Sequence, residues 1–510
     1  MTSRPTPDGP SHPDLPRRLH EALETAGFTQ GGVVEVLGPV AHAALGRNET
    51  TPGLLATGAG SPVETLTRLF LLQTAVPEAA VRAALPGLVE PLESAGFLRW
   101  DGGMLRALLD VRPYAVEDAL GERDLWLVSD LTPGLDGSRP RVGAEHVLGV
   151  SGASTSLAQL TLRHPVDRAL DLGTGCGVQA LHLTAHADRI VATDVNPRAL
   201  WATRFNLDLN LVGPDLVEVR DGSLFTPVVG EGFDLITTNP PFVISPATDE
   251  RLVYRDSGLP GDTVVERLVR AAPGHLRPGG WCQVVANWAI EAGSTWQERV
   301  AGWVDPSCDA LVVQREVLDP AAYVEVWLRD AGLAGSAEYT RRYDAWLRWF
   351  ARQRVEAVGL GWLNLRRRAD AGPARTELLD WPYEIEQPVA PAVAAWAAAQ
   401  DAVDEAGGTA GLAGLRLVAA PDLLQQSEGP PGAEDPATIV IRQQRGLRRA
   451  RRVDTVEAAL VGACDGHLSV GQILDAVADL LDRDPAATRA AYLPLVAELV
   501  REGCLLPARD

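Results

Sequence analysis

The stretch from Val166 to Phe242 reads VDRALDLGTGCGVQALHLTAHADRIVATDVNPRALWATRFNLDLNLVGPDLVEVRDGSLFTPVVGEGFDLITTNPPF, and it decides the fold. An apolar run leads into a glycine-rich turn and a helical pattern. A second run ends in Asp194 before another helix, a third ends at Asp221, and a fourth (FDLITT) ends at Asn239. Strands alternating with helices in this way build a doubly wound α/β sheet. Open sheets of that kind bind ligands at the carboxyl ends of their strands. The stretch is therefore read as a cofactor site beside a chemical site.

The turn Asp171-Leu-Gly173-Thr-Gly175-Cys-Gly177 lies between a strand and a helix. Glycines there let the backbone approach a ligand and take positive φ. A nicotinamide fingerprint would place glycine at 173, 175 and 178, but position 178 is Val and an acid precedes the turn. An acid at that place suits the cationic end of a ligand. Asp194 ends the next strand, where a carboxylate accepts both ribose hydroxyls, and Asp221 ends the third, placed for an adenine amino group. Each acid alone reads as a helix cap or a solvated loop charge; three at successive strand ends favour a nucleoside. Asn239-Pro240-Pro241-Phe242 is the sharpest signal. Two prolines stiffen the backbone after a buried strand and fix the Asn239 amide oxygen and the Pro240 carbonyl as two convergent acceptors. Such a pair matches a planar NH2 group, on which Phe242 can stack.

These motifs resemble class I S-adenosylmethionine-dependent methyltransferases of the small-domain type, and among them the HemK-like N-methyltransferases, which act on glutamine and related nitrogens and carry NPPY or NPPF. DLGTGCG, ATDVNPRAL, DGSLF and FDLITTNPPF match in order and spacing, between about Val150 and Val285. The resemblance implies a Rossmann-like sheet with S-adenosyl-L-methionine as cofactor. Asp171, Gly173 and Gly175 would lie at the methionine end, Asp194 at the ribose, and Asp221 with Gly222 at the adenine; Gly177, Asn196 and Asn239 would also be among the cofactor contacts. Asn239, Pro240, Pro241 and Phe242 would hold the acceptor nitrogen. VVANW at 284–288 also resembles small-domain ribosomal RNA guanine methyltransferases, so protein and nucleobase acceptors share the motif. Phe in place of the Tyr usual in HemK enzymes, and two large flanking modules, are departures that bear on the acceptor.

The rest of the chain sets bounds. Its 510 residues are too many for one core. The division expected is a disordered tail (1–12), a helical, winged-helix-like domain (13–120), the catalytic domain (121–368), a linker (369–387) and a C-terminal α+β, winged-helix-like domain (388–510). In the first of these, Asp101-Gly102-Gly103 marks a hairpin turn. With only Arg99, Arg106 and Arg112 near it, the module is read as a scaffold packed on the catalytic domain in preference to a nucleic-acid reader. Ser151 and Ser154, before the central strand, are either helix caps or groups that reach the cofactor. Five scattered cysteines suit free thiols in a reducing cytosol. No apolar run approaches a membrane span.

The net charge of −21 opposes nucleic-acid binding except at a local basic patch. Six arginines in Arg442–Arg452 and the run Arg366-Arg367-Arg368 are the places for one; the alternative is a solvated hairpin or pairing with the many acids. His182 and His186 are read as a solvated helix face and not as metal ligands, because no third ligand is evident. Eight of the 13 tryptophans fall in 281–362 and are read as core. The expectation is a cytoplasmic N-methyltransferase that needs no metal and no membrane and acts on a planar NH2 of a macromolecule, RNA or a protein glutamine. A small-molecule acceptor is the third alternative, and a non-catalytic binding module the reading from another class.

Overall fold

The computed structural model describes residues 13–508 except 138–142, 144, 247–257, 370–371 and 432–435. The tail expected at 1–12 and most of the polar loop after the Asn-Pro-Pro-Phe corner thus lie outside the described residues. The chain forms two compact units, one of residues 1–158 and 164–381, the other of 159–163 and 382–510.

The first unit is built on an eight-stranded sheet. Its strands are β1 (Val166–Leu172), β2 (Ala187–Asp194), β3 (Val217–Asp221), β4 (Phe233–Thr238), β5 (Leu276–Glu291), β6 (Cys308–Leu318), β7 (Val355–Arg367) and β8 (Thr376–Asp380). The spatial order is β8-β6-β7-β5-β4-β1-β2-β3. β1 runs parallel to β2 and to β4, and β4 to β5, whereas β7 is antiparallel to both β5 and β6. The α/β doubly wound class read from the sequence is the class observed. Order reverses between β1 and β4, so the loops leaving β1, β2 and β4 diverge around one crevice. Four helices matter for that crevice: α1 (Gly152–Leu160), α2 (Val178–Leu183), α3 (Pro197–Leu209) and α4 (Pro320–Asp330).

Two boundaries drawn from composition need correction. The limit at 120/121 falls in the tight turn of a hairpin whose strands, Leu109–Asp118 and Gly121–Asp130, pair along their full length. No domain can end inside a zipped hairpin. The stretch 369–387 is not a linker throughout, because β8 joins the sheet edge parallel to β6. β8 is short and carries no buried side chain, so it shows no alternating apolar face for the sequence to reveal. The helix Ala337–Gln353 ends where Arg354 turns left-handed (φ +56°) and Val355 opens β7.

The N-terminal helices and a small antiparallel sheet (Val76–Pro77, Leu98–Asp101, Met104–Ala107) share one core with the hairpin and with Phe205 and Leu209 of α3. Polar groups fix this contact. Asn206 of α3 and Asn210, the C-cap residue one turn further on, act as a surrogate strand for the hairpin edge. The Asn206 Oδ1 accepts from the Val128 N–H (2.7 Å) and its Nδ2 donates to the Val128 carbonyl (2.9 Å). Asn210 repeats the pattern at Trp126, at 2.9 and 2.8 Å. A buried strand edge must find such partners, since orphaned backbone groups are costly. Asp130, at the end of the hairpin, accepts from Arg198 Nε of α3 (2.9 Å) and from the Val147 N–H (2.8 Å), which fixes the loop leading to α1.

The second unit packs helices Ala390–Glu405, Thr455–Ala463, Val470–Leu480 and Pro485–Arg501 with two three-stranded antiparallel sheets around Val403, Leu417, Ile441, Leu460, Leu474 and Val500. The strand Leu423–Glu428 pairs antiparallel with Thr438–Gln443. That strand is almost wholly exposed, so its residues carry no burial pattern.

Candidate active site

One cavity of about 580 Å³ opens at the carboxyl ends of β1, β2 and β4. It joins the glycine loop (Asp171, Gly173, Gly175) to Asp194, Asn196, Gly222 and all four residues of the Asn239–Phe242 corner. Two residues from the sequence-derived set, Gly177 and Asp221, are not in its lining. Gly177 caps α2 with φ +82°, and a Cβ there would press on Thr203 of α3 at 3.1–3.3 Å. Its role is to let helix and loop pack. Asp221 ends β3 on the exposed side, and the following Gly222 N–H donates to the Asp194 carbonyl (3.0 Å).

The glycine loop is held from below. Thr203 Oγ1 donates to the Gly175 carbonyl (3.1 Å) and Asn206 Nδ2 to the Cys176 carbonyl (2.8 Å). The asparagine that zips the hairpin edge therefore also supports the loop. Asp171 is 1% exposed; its Oδ2 accepts from Thr174 Oγ1 (2.6 Å) and the Ala180 N–H (3.0 Å). Burial pushes its carboxyl up to about 7, against the pull of those two hydrogen bonds and with help from the charge of Asp194. Asp194 accepts from the Gly175 N–H (3.0 Å) and the Asn196 N–H (2.9 Å), and burial raises its carboxyl too. Asn196 is engaged twice. It caps α3 through Oδ1 to the Arg198 N–H (3.0 Å), and its Nδ2 donates to the Glu145 carbonyl (3.0 Å). Two desolvated carboxylates in one cavity suit a ligand with a cationic end and a diol, since both offset the burial of negative charge. The volume is in the range of small-ligand sites.

At the other end stands the corner. Thr238 Oγ1 donates to the Leu172 carbonyl (2.8 Å), tying the end of β4 to β1. Asn239 lines the cavity, and no hydrogen bond from its side chain is found among the described residues. Phe242 meets Trp327 of α4 edge to face, with ring centroids 6.2 Å apart, and Trp327 also lines the cavity. Behind them Tyr323 accepts from the Ile244 N–H (2.9 Å) and from Asn287 Nδ2 (3.0 Å). Burial pushes the Tyr323 hydroxyl upward, which keeps it protonated. Sequence reasoning missed both α4 residues. Trp327 stood among eight tryptophans, of which Trp281, Trp288, Trp296, Trp303, Trp346 and Trp362 are buried core as read, and nothing local marked it as different.

Ser151 caps α1, its Oγ accepting from the Ser154 N–H (3.2 Å), and both serines line the site. The reading of His182 and His186 as a solvated face is wrong. They are 6% and 8% exposed, and His182 Nε2 pairs with the Tyr114 hydroxyl of the hairpin (2.9 Å). The N-terminal hairpin covers a helix face that the sequence alone leaves open.

Comparison with known proteins agrees with this geometry. Residues 150–303 match the family described as "Methyltransferase small domain". Residues 25–108 and 392–507 match two families described only as domains of unknown function. A release factor glutamine methyltransferase from Cereibacter sphaeroides is 30% identical over 265 residues, half of this chain and 86% of that protein. The chain belongs to the HemK-like S-adenosylmethionine-dependent methyltransferases. Other relatives match a shorter core. The release factor glutamine methyltransferase of Xylella fastidiosa is 35% identical over 133 residues, 24% of this chain and 47% of that one. The ribosomal RNA small subunit methyltransferase C of Alcanivorax borkumensis is 33% identical over 121 residues, 24% of this chain and 32% of that one. The chain thus spans about half the length, or less, of several of the curated relatives it matches. Among the described residues no helix is long and apolar enough to cross a membrane.

Proposed function

We propose that this HemK-like chain transfers a methyl group from S-adenosyl-L-methionine to the planar NH2 nitrogen of a macromolecule. The observation that carries the reading is the single cavity joining the glycine loop and its two buried carboxylates to the Asn239–Phe242 corner. When bound, the cofactor supplies a methyl group on a positively charged sulfur. Asp171 and the loop glycines hold the methionine end, and Asp194, kept in place by the Gly175 and Asn196 N–H groups, takes the ribose hydroxyls. Asn239 Oδ1 and the Pro240 carbonyl accept the two N–H groups of the acceptor and turn its lone pair toward the donor. Phe242, backed by Trp327, stacks on the acceptor plane. Alignment of this kind is the main service an enzyme performs for a reactive donor. Asp221 at the adenine remains part of the proposal as a rim contact, because its strand end adjoins Asp194 across β2 and β3.

A protein glutamine amide is the first acceptor to test, the substrate type named for the Cereibacter and Xylella relatives. RNA is the second reading, and the Arg442–Arg452 tract is its support. That support is narrower than six arginines suggest. Arg451 is held by Glu498 (2.8 Å), Glu502 (3.4 Å) and Glu457 (3.5 Å), and Arg448 pairs with Glu384 at 3.4 Å. Arg442, Arg445 and Arg452 remain exposed and would carry any contact with phosphate. All five cysteines are buried free thiols, which fits a reducing, cytoplasmic compartment.

The test is transfer of labelled methyl into whole-cell extract, followed by protease or ribonuclease. Label released by protease and retained through ribonuclease supports the amide. The reverse supports RNA. Absence of transfer to any macromolecule refutes the proposal.

A further inference from the structure

The mechanism above gives no task to a buried polar atom in the cavity lining. Gln179 lies in the first turn of α2 and is 4% exposed. Its Nε2 donates to the Ser154 carbonyl at 2.7 Å. A carbonyl can only accept, so this bond fixes which end of the amide is which. The other end, Oε1, is buried and has no hydrogen-bond partner among the described residues. Gln179 nevertheless lines the cavity, together with Asp171, Ser151 and Ser154. A buried acceptor left unmatched is destabilising, and a side chain of Met or Leu would fill the same space without that cost. The surroundings indicate the missing donor. Both hydrogen bonds to the neighbouring Asp171 fall on Oδ2. The two serine hydroxyls pair with each other at 3.0 Å, and one hydroxyl proton of the pair is left over. Two acceptors beside a hydroxyl donor are the complement of an amino-acid zwitterion.

Resting on the cofactor reading above, we propose that Gln179 Oε1 receives the α-ammonium of the cofactor's methionine moiety. Asp171 shares that ammonium, and the Ser151/Ser154 pair donates to its carboxylate. The bond from Gln179 to α1 then does more than tether a helix: it aims the free oxygen at the ligand.

The test is calorimetry on the full chain with two probes. S-adenosylhomocysteine carries the amino acid, and 5′-methylthioadenosine carries the same nucleoside without it. Gln179→Met should weaken S-adenosylhomocysteine about tenfold, the size expected for one hydrogen bond to a charged group. It should leave 5′-methylthioadenosine unchanged, which also shows that the variant is folded. Gln179→Glu, kept neutral by the same burial, donates its O–H to the Ser154 carbonyl and keeps an oxygen facing the ligand, so it should bind S-adenosylhomocysteine within about threefold of the native chain. Equal losses for both probes in Gln179→Met would mean that Gln179 only positions α1, and equal losses of S-adenosylhomocysteine in the Met and Glu variants would mean that the ligand-facing oxygen contributes nothing; either would overturn the assignment. An unchanged affinity in Gln179→Met would overturn it as well. If the native chain binds neither probe, the cofactor reading itself fails, and that outcome is distinct from the others.

Discussion

Asp171 offers a quantitative test, because its burial and its proposed role make opposite demands. With its carboxyl pushed up to about 7, Asp171 is largely neutral below that pH, whereas the ammonium of the cofactor requires the ionised form. The apparent dissociation constant then scales inversely with the ionised fraction. That fraction is about nine-tenths at pH 8 and about one-tenth at pH 6, so S-adenosylhomocysteine should bind about tenfold more weakly at pH 6. Isothermal calorimetry across this window reads the effect directly. Asp171→Asn should bind more weakly throughout and lose the pH dependence. 5′-methylthioadenosine, which has no ammonium, should show no dependence due to Asp171, and so separates it from Asp194, whose carboxyl burial also raises. Stability moves the other way. The folded chain keeps a proton that the unfolded chain releases between about pH 4 and pH 7, so this group's contribution to stability falls as pH rises through that window. Without ligand, Asp171→Asn should therefore melt no lower than the native chain above pH 7. A flat affinity profile in the native chain, or a tenfold slope that persists in Asp171→Asn, would refute the assignment of Asp171 to the ammonium.

Three further outcomes are expected. Asn239→Ala should bind S-adenosylhomocysteine nearly as well as the native chain and lose at least a hundredfold in single-turnover methyl transfer, on the order of a lost transition-state contact; unchanged turnover would remove the corner from the chemistry. Asn206→Leu leaves the Val128 N–H and the Val128 and Cys176 carbonyls unmatched, and should destabilise the first unit by roughly 3 kcal/mol or more in denaturant unfolding. It should also weaken S-adenosylhomocysteine binding, because the glycine loop loses its support; a loss of stability with unaltered affinity would uncouple hairpin and loop. Replacing Arg442, Arg445 and Arg452 together by Ala should abolish salt-sensitive retention on heparin if RNA is the acceptor, and should leave methyl transfer to a glutamine-bearing protein intact if it is not.

Much of the site was legible because its signals are local. The glycine loop, the acids at strand ends and the proline-braced corner are each written in a few consecutive residues whose backbone preferences follow from steric chemistry. Strand and helix alternation gave the sheet, for periodicity reports which residues face a core. Where local pattern was thin, the reading failed: β8 carries no buried side chain, and the limit at 120/121 cut a hairpin at the turn between its two strands.

What the sequence alone determined, then, is the α/β sheet, the place of its crevice and the residue types that meet there. Tertiary structure decided which of those residues reach the cavity and what holds them. It left Gly177 and Asp221 out of the lining, buried His182 beneath the hairpin, set Trp327 behind Phe242, and isolated Gln179 Oε1. It also used Asn206 to bind a strand some 78 positions earlier to the glycine loop. These are contacts between elements distant in the chain, and no short-range preference of the backbone encodes them.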